Sequence, residues 1–107
     1  MAAQMNEQIK LLRDTLTGKF GAKQIFLFGS HASGNAGKES DIDLCVITDL
    51  KSKRKIELIR EIRRELLDRI SSSLDILVYS EDEFKERARL RTTLEHKILS
   101  DGIKVYG

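Results

Sequence analysis

The chain has 107 residues, of which 34% are charged and 40% hydrophobic, and its formal net charge is +2. This length predicts one domain, residues 1–107, with an ordinary apolar core. Because charges of both signs are interspersed and nearly balance, we expect no direct binding of nucleic acid. There is no signal-peptide pattern and no apolar segment near the roughly 20 residues that cross a membrane. Since Cys45 is the single cysteine, a reducing, cytoplasmic location is expected.

Hydrophobic spacing predicts an amphipathic helix at the start of the chain, from Asn6 to Thr17. Gly18 and Gly21 are candidate stops for this helix. The segment from Lys23 to Phe28 is an apolar run without alternation, which is typical of a strand covered on both faces. The inner side of the predicted helix consists of Met5, Ile9, Leu12, Leu16 and Phe20.

Glycine, serine and two aspartates follow the first predicted strand. Gly29 and Ser30 end the apolar run, a short helix is predicted from Ser30 to about Gly37, and Asp41 and Asp43 begin a second strand. Alternation puts the two aspartates on one face, about 7 Å apart along the chain. Ile42, Leu44 and Val46 then take the opposite face and can be buried.

The two carboxylates and the Gly-Ser corner suggest a metal and a phosphate. Carboxylates held this close repel each other unless a cation lies between them. Mg²⁺ prefers oxygen ligands and leaves positions open for a nucleotide's phosphates. A Gly-Ser corner that opens a helix offers backbone N–H groups and a hydroxyl to a phosphate. This stretch therefore predicts a site for a metal–nucleotide complex.

The longest helical pattern runs from Ser52 to Ile70. Its basic beginning, Lys51 to Lys55, lacks interleaved aromatic residues and is interpreted as a solvated helix start. The predicted buried stripe consists of Ile56, Ile59, Ile62, Leu66 and Ile70.

A third strand is predicted from Ser73 to Tyr79, and it carries Asp75 within an otherwise apolar sequence. A buried carboxylate without a partner is costly. The strand therefore either exposes Asp75 to a site or lies at the edge of the sheet.

A capping box from Ser80 to Glu83 begins one or two helices that end near Ser100. A short strand, Ile103 to Tyr106, closes the chain. Strands that alternate with helices predict an α/β fold. The inner side of the last helical segment is predicted to be Phe84, Ala88, Leu94 and Ile98.

Gly29-Ser30, ten residues, and then Asp41-x-Asp43 is similar to the signature of the polymerase-β-like nucleotidyltransferase superfamily. The short chain resembles its minimal nucleotidyltransferase branch, often found as the antitoxin partner of HEPN-type toxins. Asp75 corresponds to the third carboxylate that family members carry on a later strand. The ending from Leu99 to Tyr106 also resembles the closing turn and strand of these proteins.

The resemblance implies a mixed four-stranded sheet with helical cover and Mg²⁺-dependent transfer of AMP from ATP, or of another nucleoside monophosphate, to a hydroxyl. Asp41, Asp43 and Asp75 would be the catalytic residues and the ligands of two Mg²⁺ ions, while Gly29 and Ser30 would bind the nucleotide. The implied acceptor is a tyrosine of a HEPN-type toxin, and the protein would act as its antitoxin. Because so short a chain is expected to lack a second domain that grips a large substrate, the partner would supply acceptor recognition.

Two alternatives stay open. Family members often carry arginines after Gly-Ser, whereas this chain has His31 and Ser33. That departure favours a non-catalytic antitoxin or assembly module of the same fold. The other alternative is nucleotidyl transfer to a small molecule. The acceptor, the base preference, the partner and the homo- or hetero-oligomeric state are not set by these residues.

Overall fold

The computed structural model describes residues 7–29, 41–50, 54–70 and 73–107. None of the helices within these ranges is both long enough and apolar enough to span a membrane. The short helix predicted after Ser30 and the beginning of the helix predicted from Ser52 lie outside the described residues. The elements, in chain order, are α1 (Glu7–Phe20), β1 (Gln24–Phe28), β2 (Ile42–Ile47), α2 (Lys55–Leu66), β3 (Leu74–Tyr79), α3 (Glu81–Ala88), α4 (Leu94–Asp101) and β4 (Ile103–Tyr106).

The four strands form one sheet in the order β3-β2-β1-β4. β2 and β3 are parallel, whereas β1 runs antiparallel to β2 and to β4. The prediction of a mixed four-stranded sheet with helical cover is confirmed.

Helices cover both faces of the sheet, as predicted for the apolar first strand. Ile25 and Leu27 of β1 belong to a core that also contains apolar residues of α1 and α2. Phe26 lies on the other face, in a second core with Phe84 of α3 and Ile98 of α4. The predicted inner face of β2 is confirmed, because Ile42, Leu44 and Val46 are all buried in the first core.

Two helices differ from their predicted bounds or faces. α1 continues through Gly18 to Phe20 and ends before Gly21, whose φ of 64° is incompatible with a right-handed helix. In α2 the buried residues are Leu58, Ile62 and Leu66. The prediction that Ile56 is buried is wrong, since its side chain is 49% exposed. Ile56 lies two residues before Leu58, about 200° around the helix axis from the buried stripe.

The last helical segment is divided into α3 and α4. The predicted capping box begins α3, where the Ser80 hydroxyl accepts a hydrogen bond from the Glu83 N–H at 3.2 Å. Phe84, Ala88 and Ile98 are buried as predicted, but Leu94 is 47% exposed. Leu94 is the first residue of α4, so its side chain projects beyond the end of the core.

A buried polar contact joins α4 to β3. The hydroxyl of Tyr79 donates a hydrogen bond to Glu95 Oε2 at 2.5 Å, and both residues are less than a tenth exposed. The hydrogen bond from Tyr79 holds the pKa of the Glu95 carboxyl below its ordinary value, against the opposing effect of burial. This bond fixes the start of α4 relative to the sheet.

Replacing Tyr79 with Phe should lower the free energy of unfolding by about 1–3 kcal/mol at neutral pH, because it leaves a buried carboxylate without its donor. A folded-state pKa below the unfolded value means that the stabilisation is present above the unfolded pKa and is lost as pH falls through the folded pKa. The deficit of the variant should therefore shrink in acid. Urea unfolding between neutral and acidic pH measures this, with the exposed Tyr106→Phe as control. A deficit that does not change with pH would contradict the assignment.

Candidate functional site

Gly29 forms the turn that ends β1, and its φ is 73°. A Cβ built on this glycine would lie 2.1 Å from Asp43 Oδ2. The carboxylate of Asp43 therefore occupies the space that a side chain at position 29 would take. Glycine is required here both for the left-handed backbone and for the close approach of the carboxylate.

The register between β2 and β3 places Asp43 opposite Asp75. The two residues are Cα partners on adjacent parallel strands, which lie about 4.8 Å apart. Backbone hydrogen bonds extend the pairing past both ends of the strands, from Ile42 N to Ser73 O at 2.8 Å and from Thr48 N to Tyr79 O at 3.0 Å. Paired residues share a face of the sheet, so both carboxylates lie on the face that α3 and α4 cover in part.

Both aspartates lie at the end of this face where the cover stops. Asp43 is the one residue of β2 that is not buried, and Asp75 is exposed. Cys45 and Tyr79, further along the same face, are buried. β3 is also an edge strand of the four described strands. Asp75 is therefore exposed and also lies at the edge of the sheet, which are the two alternatives that its sequence left open.

The structure places the other predicted site residues less completely. Asp41 is exposed and directly precedes the first residue of β2. Gly29 is in contact distance of Asp43, as described above, whereas Ser30 and His31 lie outside the described residues. The structure thus brings Gly29, Asp43 and Asp75 together, with Asp41 two residues before Asp43.

The donor chemistry of this group fits a hard divalent cation. Carboxylate oxygens are the ligands that Mg²⁺ prefers, and Mg²⁺ usually keeps several waters or substrate phosphates in its shell. Within residues 7–29, 41–50, 54–70 and 73–107, no three acidic, histidine or cysteine side chains are arranged to hold a metal by themselves. The aspartates fit the ion as a partial ligand set that phosphate oxygens would complete.

Two other reactive side chains have structural roles. Cys45 is fully buried, and burial raises the pKa of its thiol to about 12, which excludes it as a nucleophile near neutral pH. His96 Nδ1 lies 2.9 Å from the carbonyl oxygen of Ala88. A carbonyl only accepts, so Nδ1 carries the proton and joins α4 to the end of α3.

Sequence reasoning missed the contribution of α4. Glu95 binds Tyr79, and Leu94 and Lys97 line a cavity beside Gly29. The sequence signal is weak, because these residues lie in an ordinary amphipathic pattern with no motif of their own.

The contact between Gly29 and Asp43 can be tested with a matched pair of glycines. Gly21 has φ 64° and open space around its missing Cβ, whereas Gly29 has φ 73° and the Asp43 carboxylate there. Gly21→Ala should lower the free energy of unfolding by about 1–2 kcal/mol, because of the left-handed backbone alone. Gly29→Ala should lower the free energy of unfolding by about 1 kcal/mol more than Gly21→Ala does, because the Asp43 side chain must leave its position. Denaturant unfolding of both variants measures the difference.

The same pair in an Asp43→Ala background isolates the contact. Without the carboxylate, the extra cost of Gly29→Ala should disappear and leave only the backbone term. An excess that persists in this background, or equal costs in the wild-type background, would show that the two residues do not compete for space.

Comparisons with known proteins identify the family. A model of the nucleotidyltransferase domain matches residues 9–105. A protein of Methanocaldococcus jannaschii, named provisionally as a protein adenylyltransferase, is 30% identical over 106 residues, which are 95% of this chain and 100% of that protein.

Solved structures share the fold. One from Sulfolobus solfataricus, named provisionally as a nucleotidyltransferase, has a TM-score of 0.62 and 21% identity, over 94% of this chain and 78% of that one. A toxin–antitoxin structure with AMP-PNP has a TM-score of 0.60 and 25% identity, over 97% of this chain and 73% of that one. A mutant of the toxin–antitoxin pair MntA-HpeT has a TM-score of 0.60 and 16% identity, over 95% of this chain and 74% of that one. The family model spans most of this sequence, so the chain belongs to the nucleotidyltransferase domain family.

Proposed function

We propose that this protein transfers AMP from ATP to a hydroxyl group of a partner protein and releases pyrophosphate. The observation that carries the proposal is the facing pair Asp43 and Asp75, with Gly29 leaving room for the Asp43 carboxylate. The relative named as a protein adenylyltransferase and the toxin–antitoxin structure with AMP-PNP support ATP as donor and a protein as acceptor.

The aspartates and the Gly-Ser turn have separate roles in this proposal. Asp41, Asp43 and Asp75 would hold two Mg²⁺ ions. When bound, these ions would neutralise the triphosphate and polarise the reacting oxygens. Gly29 and Ser30 would bind the β- and γ-phosphates, because backbone N–H groups at a Gly-Ser turn attract anions.

The reaction itself is a displacement at phosphorus. The acceptor oxygen forms a bond to the α-phosphorus while the bond from that phosphorus to the bridging oxygen of the β-phosphate breaks. Pyrophosphate leaves with that electron pair, and the proton of the acceptor hydroxyl passes to a carboxylate. Asp75 suits this role, since it is exposed on an edge strand where a partner's side chain can approach.

The partner we propose is a HEPN-type toxin, with a tyrosine as the acceptor, and the protein then acts as an antitoxin. The partner supplies acceptor recognition, while this chain supplies the carboxylates and the nucleotide site.

Asp43→Asn should reduce transfer by at least about a hundredfold, since it removes one of the facing charges that act on the transferred group. The assay uses ATP labelled at the α-phosphate, Mg²⁺ and the protein encoded beside this one. Label on the partner and released pyrophosphate are both measured. Asp14→Asn is the control, because Asp14 is also exposed but lies on α1, which covers the other face of the sheet.

Co-purification and toxin neutralisation, measured on the same variants, separate enzyme from binding module. The account predicts that Asp43→Asn binds the partner normally but no longer labels or neutralises it. Full neutralisation by a variant that transfers nothing would contradict the proposed reaction and establish the non-catalytic antitoxin instead.

A further inference from the structure

A cavity of about 550 Å³ opens between the end of β1 and one side of α4. This volume is within the range of small-molecule sites. Four of its lining residues belong to α4, at spacings of three and four that place them along one side of the helix. The described residues that line it are Phe28, Gly29, Leu94, Lys97, Ile98, Asp101 and Gly102.

The cavity is continuous with the carboxylate site through Gly29. Gly29 lines the cavity, and the carboxylate of Asp43 lies where its side chain would be. The neighbouring lining residue, Phe28, is the Cα partner of Asp43. A ligand in the cavity is therefore separated from Asp43 only by a residue that has no side chain.

The walls combine apolar and charged groups. Leu94 is 47% exposed although it borders a cavity, while Ile98 is buried and forms part of the floor. A half-exposed leucine and the aromatic ring of Phe28, which lines the same cavity, offer apolar surface to a flat ring system. Lys97 lines the same cavity and forms no ion pair with another described residue, so its charge is available to an anion.

We propose that this cavity holds the base and ribose of the nucleoside triphosphate, with Leu94 against the base and Lys97 contributing positive charge to the phosphates. The inference rests on the proposed function and adds α4 to the nucleotide site. The base and ribose occupy the cavity, and the phosphates extend past Gly29 toward Asp43. Leu94 and Lys97 thus become positioning residues for the nucleotide, at opposite ends of the same ligand.

The test compares two ligands that share the phosphates and differ in the nucleoside. ATP and inorganic tripolyphosphate are each titrated by calorimetry into the protein in excess Mg²⁺. Leu94→Ser should weaken ATP roughly five- to tenfold, through lost apolar contact, and leave tripolyphosphate unchanged. Lys97→Gln should weaken both ligands, since its partner is the phosphate chain.

Two substitutions outside the cavity serve as controls. Leu90→Ser removes a leucine that is 63% exposed and does not line the cavity. Lys10→Gln removes an exposed lysine of α1, on the other face of the sheet. Both should bind ATP and tripolyphosphate like wild type. Serine is well tolerated near the start of a helix, so Leu94→Ser should fold, and a thermal melt of each variant verifies this.

The outcomes separate this inference from the proposed function. The cavity assignment is overturned if Leu94→Ser binds ATP as tightly as wild type does, or if it weakens ATP and tripolyphosphate equally. The proposed nucleotidyltransferase reaction stands in either case. An unchanged affinity for both ligands in Lys97→Gln removes the phosphate role of that lysine. A wild-type protein that binds neither ligand in Mg²⁺ overturns the proposed function and, with it, this inference.

Discussion

The parallel register between β2 and β3 is the constraint on which the candidate site depends. It places Asp43 opposite Asp75, and the apolar residues that alternate with them, such as Leu44 and Val78, fill the core on the other face. A slip of one residue would turn a carboxylate into that core and an apolar side chain into solvent, so burial enforces the pairing. The register in turn holds two like charges on adjacent strands. A cation between them would relieve their repulsion.

The two faces of the sheet divide the work between stability and function. α1 and α2 cover one face along most of its length. On the other face the second core holds Cys45 and Tyr79 but not Asp43 or Asp75, so the site end stays accessible. The hydrogen bond from Tyr79 to Glu95 fixes the start of α4 beside this open end. The same helix then lines the cavity next to Gly29, so a structural contact of the core also positions the proposed nucleotide site.

Much of this arrangement could be predicted from the sequence, because local patterns specify it. The Gly29 turn, the burial of Ile42, Leu44 and Val46, and the capping box at Ser80 each follow from a few neighbouring residues. Periodicity identified Ile62 and Leu66 on the buried side of α2. It did not identify the first buried residue, since Ile56 and Leu58 are both apolar and tertiary packing buries Leu58. The roles of Glu95 and Leu94 depend on contacts across the sheet, which no local pattern reveals. The direct proximity of Gly29 and Asp43 likewise required the antiparallel pairing of β1 with β2.

The central claim is that Asp43 and Asp75 hold one metal–nucleotide complex between them. The most direct measurement is a crystal structure of the protein with Mn²⁺ and a non-hydrolysable ATP analogue, with the metal located by its anomalous scattering. The account predicts metal bound to carboxylate oxygens of both Asp43 and Asp75, with the phosphates beside Gly29. A nucleotide bound with its metal away from both aspartates would contradict the account.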